Sequence, residues 1–232
     1  MSELRFTEVS YAYRSGSEVI RVLDGVSFTA GSGSFLALVG RSGSGKSTML
    51  SLACGLLGPQ SGSVRVGGVE LGELDAEERS ALRLRSIGVV FQDAGLLPGM
   101  SVADNVALPL MMAGRGRAEA RRAAADVLSR LGLEDLDRRF PAELSGGQRQ
   151  RIGIARGIVG DRRLLLVDEP TASLDEQTSA SVLDLVQQAA DSGVSVVVAT
   201  HDDAVVERAT RVLRLAGGRL REDCLSPSDI GS

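Results

Sequence analysis

Residues 40–48 read Gly40-Arg41-Ser42-Gly43-Ser44-Gly45-Lys46-Ser47-Thr48. Glycines at 40, 43 and 45 let the backbone turn tightly and aim successive N–H groups inward. Ahead of them Phe35-Leu36-Ala37-Leu38-Val39 is an apolar run of strand length, and residues 46–57 carry a helical pattern. A strand, a glycine-rich turn and a helix in that order place the chain in the α/β class. An anion held in the turn would meet backbone donors and the positive end of a helix dipole together.

The spacing, one glycine, four residues, then Gly-Lys-Ser, is that of a P-loop, here in the strand-to-helix context its mechanism requires. Lys46 is expected to reach the β and γ phosphates of a nucleoside triphosphate, and the Ser47 hydroxyl to ligate the Mg²⁺ that bridges them. Taken alone, the loop leaves kinases, GTPases and transport ATPases open.

The 232 residues suit one large α/β domain, and 26 Lys plus Arg against 30 Asp plus Glu leave a net charge of -4. That balance provides no global basic field for nucleic acid or an anionic membrane surface. Cys54 and Cys224 are too far apart in sequence to suggest a disulfide framework or a metal site. With no signal-peptide pattern and no apolar run of membrane-spanning length, a soluble cytoplasmic chain is expected.

In chain order, residues 4–13 and 22–28 read as strands. Tyr11 and Tyr13 stand out among scarce aromatics, and either could offer its ring to a nucleotide base. Residues 63–71 read as a hairpin turning at Gly67-Gly68, and residues 76–85 as a charged helix. Ile87-Gly88-Val89-Val90-Phe91 is a buried strand that delivers Gln92 to a sheet edge, where α/β sheets place ligands. Residues 96–139 turn helical, with Ala120, Ala123, Ala124, Val127, Leu128 and Leu131 on one face and Gly132 as a stop.

Leu144-Ser145-Gly146-Gly147-Gln148 opens a further helix, expected over residues 148–159. It is a simple helix cap or a second anion-binding surface. A chain with one P-loop has no obvious second phosphate to put there, which points to two chains sharing a nucleotide. Leu164-Leu165-Leu166-Val167 is a strand ending in Asp168-Glu169: the first carboxylate is placed to hold Mg²⁺, the second to polarise an attacking water. Ser173-Leu174-Asp175 precedes a helix to about residue 190, and residues 194–200 form a strand ending at His201, the one histidine. Residues 211–221 read as a strand pair and residues 222–232 as a polar tail.

The order of the P-loop, Gln92, residues 144–148, residues 164–169, residues 173–175 and His201 resembles the nucleotide-binding subunit of ATP-binding cassette (ABC) transporters over essentially the whole chain. The resemblance implies a RecA-like P-loop core with an antiparallel β subdomain and a helical subdomain near residues 94–160. It implies ATP and Mg²⁺ as ligands. Residues 40–48 and Tyr13 would bind the nucleotide, and Ser47, Gln92 and Asp168 the metal. Lys46, Gln92, Glu169 and His201 would serve hydrolysis.

Ser145, Gly146, Gly147 and Gln148 would close over the γ-phosphate bound to a second copy, with Asp175 linking the two sites. A membrane-spanning permease is the further partner implied, which would hold the chain at the inner face of the cell membrane. Residues 87–114 look most like the lipoprotein-release, macrolide-export and cell-division branch, though Arg41 and Ala172-Ser173 depart from its usual pattern. Two other functions share these motifs: regulation of a membrane complex without transport, and soluble DNA maintenance. The latter relatives carry a long coiled coil between the two motif halves, and the hundred or so residues here lack sustained heptads.

Overall fold

The computed structural model describes residues 2–16, 18–172 and 174–223. Ser173, Cys224 and the expected tail beyond residue 223 lie outside them. The chain begins with two long strands, β1 (Ser2–Ser15) and β2 (Glu18–Gly31), followed by β3 (Phe35–Val39) and α1 (Lys46–Ala53). Then come β4 (Ser61–Val66), β5 (Val69–Glu70), α2 (Ala76–Ser86) and β6 (Ile87–Val90). Three helices, α3 (Val102–Met112), α4 (Arg117–Arg130) and α5 (Gly146–Ile158), precede β7 (Leu164–Asp168). The described chain closes with α6 (Glu176–Asp191), β8 (Ser195–Thr200), α7 (Asp203–Arg208), β9 (Arg211–Ala216) and β10 (Arg219–Asp223).

Two sheets result. An antiparallel one runs β2-β1-β4-β5, and a six-stranded one runs β10-β9-β3-β8-β7-β6, parallel except for β10. The parallel strands are uniformly apolar because both of their faces are covered. Side chains alternate between those faces. Phe35, Ala37, Leu165, Val167, Val196 and Val198 pack with α3 to α6, whereas Leu36, Leu38, Leu164, Leu166, Val197 and Ala199 pack with α1 and the antiparallel sheet. Each fully buried large aliphatic contributes about 1.5–3 kcal/mol, so the parallel sheet is the rigid plate from which the site is hung.

Several boundaries differ from the sequence expectation. Both N-terminal strands are longer than expected because their register shifts at bulges, which carry the ladder past Glu8, a residue at φ 49°. Helix α1 stops at Ala53 instead of residue 57, where Gly55 takes a left-handed φ of 67°. Residues 96–101 are not helical. The buried Asn105 amide bonds to the backbone of Leu97, Met100 and Ser101 and holds them in a turn, and Ser101 then caps α3. Helix α5 begins at Gly146, not at Gln148, through a capping box in which Ser145 and Gln148 accept from each other's backbone N–H. Strand β10 extends to Asp223, into the first residues of the expected tail.

Candidate nucleotide site

The parallel register brings the functional loops to one edge. Val39 lies opposite Thr200, Asp168 opposite Ala199, and Val90 opposite Val167, so the residues that follow these strand ends emerge together at the carboxyl edge of the sheet. There Tyr13, Arg41, Ser42, Gly43, Ser44, Gly45, Lys46, Ser47, Thr48, Gln92, Asp168, Glu169 and His201 line one cleft of about 800 Å³. Gly40 stands just behind it and its carbonyl accepts a 2.8 Å hydrogen bond from Lys46 Nζ. Between the two tyrosines the structure separates their surroundings: Tyr13 faces the cleft, and Tyr11 packs on the core beneath the antiparallel sheet. Tyr13 is held by its hydroxyl, 3.2 Å from Thr48 Oγ1, and by an edge contact with the Tyr11 ring.

The loop has no room for larger residues. Gly43 and Gly45 have φ of 77° and 108°, and a Cβ on Gly40 would lie 2.6 Å from Ser44 Oγ and 2.7 Å from the Leu215 carbonyl. Ser44 Oγ is buried with no hydrogen-bond partner among the described residues, an orphaned donor inside a backbone cradle. Such a donor fits a phosphate oxygen.

Glu169 sits in the left-handed region at φ 47°, costly for a residue with a side chain, and its N–H bonds the Ala199 carbonyl at 2.9 Å. That conformation turns its carboxylate into the cleft, 3.5 Å from Lys46 Nζ and 3.0 Å from His201 Nδ1. Burial pushes the Asp168 carboxyl above the usual carboxylate range, a hydrogen bond with Ser47 opposes this, and the Glu169 charge adds to it. Ser47 hydroxyl, Asp168 carboxylate and Gln92 carboxamide together form an all-oxygen donor set. It suits a small hard cation that takes its remaining ligands from phosphate and water.

The residues 145–148 stand apart. Of these only Gly146 lines an adjoining cleft of about 690 Å³, with Gln92, Asp168, Arg149 and Gln150, and Ser145, Gly147 and Gln148 line neither cleft. Asp175 is likewise outside both and caps α6, where hydrogen bonds from Thr178 hold its carboxyl below the usual range.

A family profile described as ABC transporter matches residues 23–172. The chain belongs to the ABC transporter family. As an ABC cassette it is an ATP-binding ATPase, and its relatives agree with the branch that residues 87–114 resemble. It is 40% identical over 220 residues, 95% of its length, to the macrolide export ATP-binding/permease protein MacB of Hyphomonas neptunium. To the MacB protein of Burkholderia thailandensis it is 39% identical over 229 residues, 99% of its length. The chain spans about a third of those relatives, 34% and 35%. Among solved structures, the dimeric, post-hydrolysis ATP-binding cassette MJ0796 bound to ADP and Pi superposes with a TM-score of 0.88 at 35% identity, over 96% of this chain and 99% of that one.

Three contacts of this cassette were not read from sequence. Val22 lines the cleft, and its Cγ1 would lie 2.5 Å from a Cβ on Gly45. Thr171 Oγ1 donates to an Asp202 carboxylate oxygen at 2.5 Å, joining the loop after Glu169 to the loop after His201. Arg156, half-turned into the protein, donates to the backbone of residues 94 and 95. Its signal was present: an arginine four residues after Ile152, on the apolar side of α5.

Proposed function

We propose that two copies of this cassette close around two MgATP molecules and that closing and hydrolytic reopening drive a membrane-spanning permease. Lys46, Ser44 and the N–H groups of residues 40–48 bind the triphosphate, with Tyr13 stacking on the base. Ser47, Asp168 and Gln92 would hold Mg²⁺, which when bound would supply charge neutralisation to the phosphate chain. Glu169 accepts a hydrogen bond from the attacking water, and His201 orients Glu169 and contacts the transferring phosphoryl group.

The observation that carries the dimer is the separation of the two anion sites within one chain. The helix N-terminus at residues 145–148 offers backbone donors but does not line the P-loop cleft, which supports the reading that a phosphate bound there comes from another chain. The MJ0796 cassette, also dimeric, supports this reading. No helix among the described residues is long and apolar enough to cross a membrane, and a permease domain accompanies the ATP-binding part in the MacB relatives by their name. The test is the molar mass in solution of Glu169→Gln with and without MgATP. Dimerisation that depends on MgATP and is abolished by a second change, Ser145→Arg, supports the shared site; a constant mass refutes it for the isolated cassette.

A further inference from the structure

The loop that carries Gln92 is not free. Ala94 N–H closes a turn on the Phe91 carbonyl at 2.9 Å, with Gln92 and Asp93 at its tip. Ala94 and Gly95 then both take left-handed backbone, φ 59° and 55°, and Ala94 is a buried residue with a Cβ to accommodate. Two consecutive residues in that region need outside support to persist. Helix α5 supplies such support. Arg156 forks around the turn, Nη1 donating to the Gly95 carbonyl at 2.7 Å and Nη2 to the Ala94 carbonyl. One turn earlier, Gly153 leaves the space that the Ala94 methyl fills: a Cβ there would lie 3.0 Å from Ala94 Cβ and 3.4 Å from Val90 Cγ1.

Burial holds the Arg156 guanidinium below its usual pKa, and Asp93 is the nearby charge that opposes this. So the guanidinium is spent on two backbone carbonyls instead of a carboxylate partner, which fixes a shape more than it neutralises a charge. The same helix presents residues 145–148 at its other end, ten residues or about 15 Å away.

We propose that Arg156 is a positioning residue for hydrolysis: it seats the Gln92 turn on α5, so that this turn and the anion-binding N-terminus of the helix move as one body. Nucleotide engaged at either end is thereby felt at the other. The inference rests on the assignment of Gln92 to the MgATP site.

The full chain is assayed for kcat, KM for ATP, half-saturation by Mg²⁺ and melting temperature in Gln92→Ala, Arg156→Lys, their double variant and Gly153→Ala. Arg156→Lys keeps the charge but not the planar fork; kcat is expected to fall on the order of 10–100-fold with KM nearly unchanged. Its Mg²⁺ half-saturation should shift in the direction that Gln92→Ala shifts it, and in the Gln92→Ala background the lysine should have no further effect. Gly153→Ala favours helix, so it folds, and by pushing Ala94 outward it should reproduce the loss with Arg156 intact. If Arg156→Lys does not fold, the cycle is run with Gly153→Ala. Losses that multiply in the double variant, or a lowered melting temperature with parental kcat, overturn the positioning role. Parental turnover in Gln92→Ala overturns the Gln92 assignment itself, and the proposal with it.

Discussion

The Lys46 ammonium lies 3.5 Å from a Glu169 carboxylate oxygen while donating to the Gly40 carbonyl at 2.8 Å. Glu169 also holds His201, at 3.0 Å, so one carboxylate faces two groups that a γ-phosphate would claim. A triphosphate entering the cleft therefore competes with Glu169 for Lys46 and meets its negative charge.

Replacing that carboxylate by an amide separates binding from chemistry. Glu169→Gln should bind MgATP about 2–5-fold more tightly, the range of one modest ion pair, because the competing anion is gone. Turnover should drop about 100-fold or more as the water loses its hydrogen-bond acceptor. Equilibrium binding and single-turnover hydrolysis check the two parts separately; hydrolysis at the parental rate would remove Glu169 from the water-polarising role.

Thr171 and Asp202 hold Glu169 and His201 in register from behind. Their 2.5 Å hydrogen bond is made by a buried hydroxyl, and Asp202 also donates its backbone N–H to Thr200 Oγ1 at 2.9 Å and caps α7 by accepting from Ala204 N–H. Thr171→Val keeps the volume and leaves that carboxylate oxygen unpaired, at a cost of about 1–3 kcal/mol in stability. Because the loop after His201 loosens, kcat should fall more than ATP affinity. Urea titration and steady-state kinetics measure both, and equal losses in kcat and affinity would show that the pair does not align the two loops.

Asp168 shows the opposing demands of stability and function. Its carboxyl is raised by burial above its value in an unfolded chain. The stabilising contribution of its protonated form is thus full below the ordinary aspartate value and is lost as pH rises through the raised folded value. At neutral pH the ionised group is a net cost to the protein without nucleotide. Asp168→Asn should accordingly raise the melting temperature at pH 7, with the advantage shrinking in the acid range, and should weaken Mg²⁺-dependent ATP binding. A melting temperature that falls at pH 7 would mean that the Ser47 and Lys46 contacts outweigh burial.

The parts of this site that were legible in sequence are those made by consecutive residues. The P-loop, the Asp168-Glu169 strand end and the Ser145 cap each contain their own geometry: a glycine spacing, an apolar run, a capping residue. The Ala120, Ala124, Val127 and Leu128 stripe was legible because helical period and burial are the same fact. What was not legible depends on pairs distant along the chain. Thr171 meets Asp202 across two strands, and Arg156 meets Ala94 across 62 residues. Boundaries slipped by a few residues where local geometry ended or began an element, as left-handed Gly55 follows the end of α1 and the reciprocal Ser145–Gln148 box advances α5 to Gly146.

Gly147 has a requirement that its place in the motif does not reveal. A Cβ there would lie 2.0 Å from Thr178 Cγ2 on α6, and Thr178 cannot rotate away without losing its 2.7 Å hydrogen bond to Asp175. Gly146, one residue earlier, meets nothing closer than 3.8 Å. Gly147→Ala should therefore destabilise the fold by about 1–3 kcal/mol through overpacking alone. Thr178→Ser removes the obstructing methyl and retains the hydroxyl for Asp175, so Gly147→Ala with Thr178→Ser should recover most of that loss in thermal or urea unfolding. ATPase turnover of the double variant then decides what the glycine does. Recovery of activity along with stability means that Gly147 serves the α5 and α6 packing; stability restored with turnover still low means that its missing side chain is also needed for hydrolysis, as the proposed approach of a second copy's γ-phosphate to the helix N-terminus would require.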